Sequence, residues 1–203
     1  MKVTDIRAQD IRFPTSKENL GTDAVHVDCD YSATYVTITT DNKNLTGIGL
    51  TFTIGKGNDL CCKAIEFFKE FIVDKEIRYI EENILEIWQK VTNHSQLRWV
   101  GPNKGVTHLA AAAFFNAIWD LISKKHKKPL WQYIVDLDTD ALINKLSFNY
   151  LDDVITIEEA KKIINKNKEK LPKDTSELNS TIFPAYTTAV YYTHLTLPTK
   201  PKV

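Results

Sequence analysis

The stretch from Gly105 to Pro129 constrains this chain most. Leu109, Ala110, Ala113, Phe114, Ala117, Ile118 and Leu121 recur at helical spacing and form a wide apolar stripe. The alanines in that stripe let a neighbouring helix or sheet approach closely. The following run, KKHKKP, sets cations against the negative end of the helix, and Pro129 prevents its continuation. The pattern predicts a central buried helix around which the remaining elements must pack.

Those elements are read from the periodicity on either side. In KVTDIRAQDIRF, Val3, Ile6, Ala8 and Ile11 describe a strand whose phase breaks near Ile6, as a bulge would make it do, and Pro14 ends it. A polar loop leads to the β-branched and aromatic run Tyr31 to Thr40, a second strand. The turn Asp41 to Asn44 returns the chain into LTGIGLTFTI, a third strand that stops at Gly55-Lys56-Gly57. A three-stranded antiparallel meander is expected, and a sheet this small needs a second layer. Helices supply it. One begins at the cap-like Asn58-Asp59 with a stripe of Leu60, Ala64, Phe67, Phe68 and Phe71; another spans residues 78 to 92 with Ile80, Ile84, Ile87 and Trp88. The loop NHSQLRWVGPNKG precedes the central helix, and a short helix follows near Trp131. Beyond it, Thr156 to Asn179 is polar and Lys-rich, helical at its start. The fold class is α+β, a meander followed by a helical bundle.

Charge and cysteine content narrow the function classes. With 26 basic and 26 acidic residues the chain carries no whole-molecule field that favours nucleic acid, a membrane surface or a polyanion. Cys29, Cys61 and Cys62 lack a C-x-x-C spacing, and the adjacent pair cannot easily bridge, which suits a reducing compartment. No run of about 18 apolar residues exists, and MKVTDIRAQD does not read as a signal or transit peptide. The location expected is the cytoplasm or the mitochondrial matrix.

Several apparent chemical motifs fail on spacing or partners. GLTFTIGKG pairs glycines with Lys56, but one residue too many separates Gly49 from Gly55 for a phosphate-binding loop, and Gly57 stands where Ser or Thr would hold a metal. His26, His94, His108, His126 and His194 are scattered, without zinc spacing. His26 with Asp28 and Asp30 reads as a solvated loop. Cys61 and Cys62 lie near a helix start, yet with no catalytic partner they read as structural.

Long blocks of the sequence resemble the enolase superfamily, and within it the L-fuconate dehydratase branch. They are DIRFPTS, GTDAVHVDCDYSATYV, GLTFTIGKG, QLRWVGPNKGVTHLAAAAFFNAIWDL, KKPLWQYIVD and FPAYTT, over residues 1 to about 189. The resemblance implies an N-terminal capping domain over residues 1–145, a helical Lys-rich connection over 146–182 and the first strand of a TIM-type barrel over 183–189. Residues 190–203, from Val190 onward, are unlike any continuation of that family. It further implies a hydro-lyase that converts L-fuconate to 2-keto-3-deoxy-L-fuconate. In such enzymes Mg2+ stabilises an enediolate while a Lys and a His move protons. All of those groups belong to barrel strands that this sequence does not reach, so neither a catalytic residue nor a metal ligand is carried over, and the chain alone is expected to be inactive.

What the resemblance does carry over is substrate contact. Gly21, Thr22, Asp23 and Tyr31 match positions that touch the distal part of a sugar acid, with Thr22 standing where relatives usually have Ala. Asp23 would accept hydrogen bonds from hydroxyls, and Tyr31 would offer a phenol and an apolar face. By residue type alone Asp23 reads first as a solvated turn residue, and Tyr31 reads as readily as a strand residue in a core. An alternative reading is a non-catalytic cap that binds a protein partner through the face normally set against the barrel. Oligomeric state is open.

Overall fold

The computed structural model describes residues 1–99 and 105–170. Strands β1 (Val3–Ile11), β2 (Ser32–Thr40) and β3 (Gly47–Thr53) form an antiparallel sheet in the order β1-β2-β3, the expected meander. The register pairs Ile6 with Ile38 and Ala8 with Val36, and it slips between Val3 and Asp5. That bulge lies just N-terminal of where the apolar phase suggested. It turns both Val3 and Ile6 into the core although they are three residues apart. Period-two alternation sends Thr34, Val36, Ile38 and Thr40 inward from β2 and Gly47, Gly49, Thr51 and Thr53 inward from β3.

Helix α1 (Asn58–Ile72) crosses the inner face of the sheet, followed by α2 (Ile77–Glu82), α3 (Ile84–Thr92), α4 (Val106–His126), α5 (Leu130–Asp136), α6 (Thr139–Ile143) and α7 (Ile157–Lys168). The face α1 buries is Cys61, Ala64, Ile65, Phe68 and Ile72, whereas Leu60 and Phe67 are about half exposed. The apolar stripe read from sequence was therefore rotated by part of a turn, because its Leu and Phe residues outweighed the smaller Cys61 and the β-branched Ile65. Asn58 is no cap either: Gly57 holds that place, and Asn58 is fully buried. The helix expected over residues 78 to 92 is two helices, broken at Asn83.

The 21-residue helix α4 is the centre of the molecule. Ala110, Ala111, Ala113, Phe114, Ala117, Ile118, Leu121 and Ile122 are all buried, while Leu109 turns outward. Its length and hydropathy would suit a membrane span, but its apolar surface is taken up by β3, β2, α1 and α3. Phe114 meets Phe68 edge to face at 5.4 Å, and Phe115 meets Trp88 at 5.1 Å. Against β3 the packing is backbone to backbone. A Cβ on Gly47 would lie 2.2 Å from the Ala117 carbonyl oxygen.

The same helix closes the exposed edge of the sheet. Asp120 accepts the backbone N–H of Ile48 at 2.7 Å, and one turn on, Lys124 donates to the Thr46 carbonyl at 3.1 Å and to Asp120 at 2.6 Å. An edge strand occupied in this way cannot recruit another chain through those groups. At the far end, Lys127 takes a left-handed conformation (φ 54°) and ends α4 as the cationic run predicted. The expected strand at 183–189, the segment 190–203 and the motif residues 100–104 lie outside the described residues.

Candidate functional site

The two loops at one end of the sheet form a continuous rim. The longer joins β1 to β2 and contains a short 3-10 turn at Thr15–Glu18; the shorter, residues 54–57, joins β3 to α1. The backbone N–H of Asp30 donates to the Ile54 carbonyl at 3.2 Å, so the end of one loop rests on the start of the other. Within the longer loop, the Asp30 carboxylate accepts from the Ser16 backbone N–H at 3.2 Å and hydroxyl at 2.7 Å. Those hydrogen bonds from Ser16 lower the Asp30 pKa. The Thr15 hydroxyl donates to the Cys29 carbonyl and accepts from the Tyr31 N–H, each at 2.9 Å.

All the residues proposed to touch substrate lie in or next to this loop. The Tyr31 hydroxyl donates to the Gly21 carbonyl at 2.9 Å, and its ring meets Phe52 of β3 edge to face at 5.2 Å. Gly21 has φ +73°, and a Cβ there would sit 2.4 Å from the Tyr31 ring. The positive φ favours glycine, and any side chain there would also have to displace the Tyr31 ring. Thr22 donates to the Asn19 carbonyl at 3.1 Å, a bond that an alanine at this position would lack. One carboxylate oxygen of Asp23 accepts from the backbone N–H groups of His26 at 2.7 Å and Val25 at 2.8 Å. These backbone bonds, His26 first, hold the Asp23 carboxyl below its ordinary range. The His26 Nδ1 lies 3.2 Å from each of the two carboxylate oxygens, and both side chains are more than half exposed.

The structure thus brings Gly21 and Tyr31 into contact and gives each of the four residues a role in shaping the loop. Asp23 remains ionised, exposed and able to accept from a hydroxyl through its outer oxygen. The Tyr31 oxygen, donating to Gly21, keeps an acceptor lone pair.

Sequence reasoning missed the residues beneath the rim. Asp10 accepts from Arg12 through Nε at 3.0 Å and Nη2 at 2.7 Å, and from the Asn58 amide at 2.8 Å. The Arg12 hydrogen bond leads in lowering the Asp10 pKa, with Asn58 assisting. No motif marks Asn58, whose position at a helix start suggested a cap. Among the described residues, no group of three or more His, Cys, Asp or Glu side chains is placed to hold a metal ion. The rim offers single carboxylates that are already hydrogen-bonded, a donor set that does not suit Mg2+. A separate groove of about 390 Å³ between α3, α4 and residues 145–147 is walled by Trp88, Phe115 and Trp119.

No protein-family model matches the chain. Mitochondrial enolase superfamily member 1 of Xenopus laevis is 42% identical to it over 189 residues, covering 93% of this chain and 42% of that protein. L-galactonate dehydratase of Hypocrea jecorina is 39% identical over 188 residues, covering 92% of this chain and 42% of that one. Among solved structures, human mitochondrial enolase superfamily member 1 matches with a TM-score of 0.77 at 41% identity, over 81% of this chain and 38% of that one. The chain belongs to the enolase superfamily.

As a member of that superfamily it has the α+β architecture of the N-terminal cap, the meander and helices that open the human structure. It spans 42% of the length of the curated relatives just named. A more distant structure, L-talarate dehydratase from Polaromonas sp. JS666 complexed with Mg and L-glucarate, shares the fold with a TM-score of 0.50 at 14% identity, over 82% of this chain and 50% of that one. One sequence relative is thus an L-galactonate dehydratase, and the Mg-bound structure shares the fold.

Proposed function

We propose that residues 1–145 are the substrate cap of a Mg2+-dependent sugar-acid dehydratase, with L-fuconate as substrate and 2-keto-3-deoxy-L-fuconate as product. The observation that carries this reading is 39% identity to an L-galactonate dehydratase through nearly the whole chain, with Gly21, Thr22, Asp23 and Tyr31 on one ordered loop. L-Galactonate is the competing substrate, and the two acids differ at the end distant from the carboxylate. Asp23 accepts from hydroxyls there, and Tyr31 with Phe52 sets an aromatic wall against a methyl group. The cap supplies selectivity and exclusion of water. Mg2+, which would stabilise charge on the enediolate, and the proton-transferring Lys and His belong to a barrel that begins near residues 183–189, after a connection over 146–182. Residues 190–203 are foreign to that barrel. The name of the mitochondrial relatives supports a matrix location.

Incubating the 203-residue chain with L-fuconate or L-galactonate and Mg2+, and assaying for a 2-keto product, should give no turnover. Turnover by this chain alone would overturn the assignment of its catalytic groups to the barrel. In a titration followed by NMR, L-fuconate should perturb Asp23 and Tyr31 more than L-galactonate does; perturbation elsewhere alone, or none, counts against the rim. A second reading, a cap that serves as a protein-binding module, is favoured by one observation. Ile48, Leu50 and Phe52 on the outer face of β3, with Ile54 just beyond its end, make a half-exposed apolar row. A monodisperse monomer that fails to bind a hydrophobic dye would argue against it.

A further inference from the structure

Asn58 holds the base of both rim loops with a single side chain. It is fully buried, the first residue of α1, and no exposed atom explains its presence there. Its amide nitrogen donates to the Asp10 carboxylate at 2.8 Å, to the Ile11 carbonyl at 3.2 Å and to the Ala33 carbonyl at 3.2 Å. Its amide oxygen accepts from the Thr53 hydroxyl, which in turn accepts the N–H of Gly55 at 3.1 Å. Its backbone carbonyl accepts from the buried Thr34 hydroxyl at 3.2 Å.

The placement of these partners matters more than their number. Ile11 and Ala33 face each other across the β1–β2 ladder and are the two stems of the longer loop. Thr53 ends β3 and is the near stem of the shorter loop, whose far end is Asn58 itself. One amide therefore touches every stem of the rim. Only a group with donors on one atom and an acceptor on the other satisfies this set. A carboxylate would face Asp10 and two carbonyls with no proton to give, and an apolar side chain would leave them all buried without a partner.

We propose that Asn58 is a positioning residue for the substrate rim. It sets the separation of the 12–31 and 54–57 loops, and with it the place of Gly21, Asp23 and Tyr31 relative to Phe52. The link to substrate rests on the dehydratase reading above; the link to loop geometry does not.

The test is backbone amide exchange followed residue by residue in the 203-residue chain. In Asn58→Asp, exchange at Ser16, Asp30, Tyr31 and Gly55 should rise roughly tenfold or more relative to exchange at Val36 in β2 and Phe114 in α4. The new carboxylate would stand beside Asp10 and the Ile11 and Ala33 carbonyls, so loosening corrected for intrinsic exchange should grow as pH rises through the carboxylate range, and Asp10→Asn added to Asn58→Asp should reduce that pH dependence by removing the facing charge. Arg12, Asp59 and Cys62, the other titratable neighbours of the pair, are unchanged in both variants. Should Asn58→Asp not fold, Thr53→Val removes one partner at nearly constant volume and should give the same loop-selective pattern at smaller amplitude. Equal acceleration in rim and core, or no pH dependence in Asn58→Asp, would overturn the proposal and leave Asn58 a general stabiliser. Addition of L-fuconate to the unaltered chain separates the two ideas. No perturbation there, with loop-selective loosening in the variants, removes the substrate reading and keeps the positioning role.

Discussion

Gly49 of β3 and Ala113 of α4 touch backbone to backbone: a Cβ built on Gly49 would lie 2.2 Å from the Ala113 carbonyl oxygen and 2.4 Å from the Ala117 nitrogen. Neither obstacle is the end of a flexible side chain. Gly49→Ala must therefore lift the central helix from the sheet and open the interface on both sides of it. We expect a loss of about 2 to 3 kcal/mol, read from urea unfolding. A loss under about 0.5 kcal/mol, the ordinary range of a surface change, would show that helix and strand do not meet this closely.

Glu81 ties α2 to the end of α4 and to α5. Its carboxylate, mostly buried, accepts from Lys125 and Tyr133 at 2.7 Å each and lies 2.8 Å from the His126 ring nitrogen. Burial pushes its pKa up, but the hydrogen bonds from Lys125 and Tyr133 and the charges of Lys125 and His126 outweigh it, and the net shift is downward from 4.5. A carboxyl depressed in the folded state contributes stability above its unfolded pKa and loses it as pH falls through the folded one. Glu81→Gln should cost about 2 to 4 kcal/mol at pH 7. In acid the wild type should lose its advantage and the two curves converge. Parallel curves between pH 7 and pH 3 would refute the ion-pair account.

Cys61 has no exposed surface, and burial pushes its thiol up to about 11. Cys62, half-buried, is shifted upward by the same cause. A helix start does not activate either thiol. With iodoacetamide at pH 8, Cys62 should be modified slowly and Cys61 only after denaturation; fast labelling of Cys61 in the native chain, seen by peptide mass spectrometry, would contradict its burial.

Tyr31→Phe deletes the strap to the Gly21 carbonyl without disturbing the ring contact with Phe52. The strap is partly exposed, so global stability should change by no more than about 1 kcal/mol, while proteolytic cleavage between residues 18 and 28 should accelerate several-fold. Gly21→Ala should loosen the same loop further, since its φ of +73° and the Tyr31 ring both oppose a Cβ. Unchanged cleavage in both variants would mean that the loop does not depend on this contact.

The order of the strands, the central helix and its cationic end were legible in the sequence, because alternation and helical spacing are local properties that burial imposes on neighbouring residues. The family too was legible, through blocks such as GTDAVHVDCDYSATYV, and with it the candidate loop at Gly21, Thr22, Asp23 and Tyr31. Tertiary structure alone decided which side of α1 is buried, since Leu60 and Phe67 satisfy the helical period as well as Cys61 and Ile65 do. It alone turned Asn58 from an apparent cap into the amide beneath both loops, and gave Asp120 the edge of β3. Each of those roles joins residues far apart in the chain, Asn58 to Asp10 or Asp120 to Ile48. A hydrogen bond between such residues leaves no period in the sequence, because its partners become neighbours only once the sheet and the helices have packed.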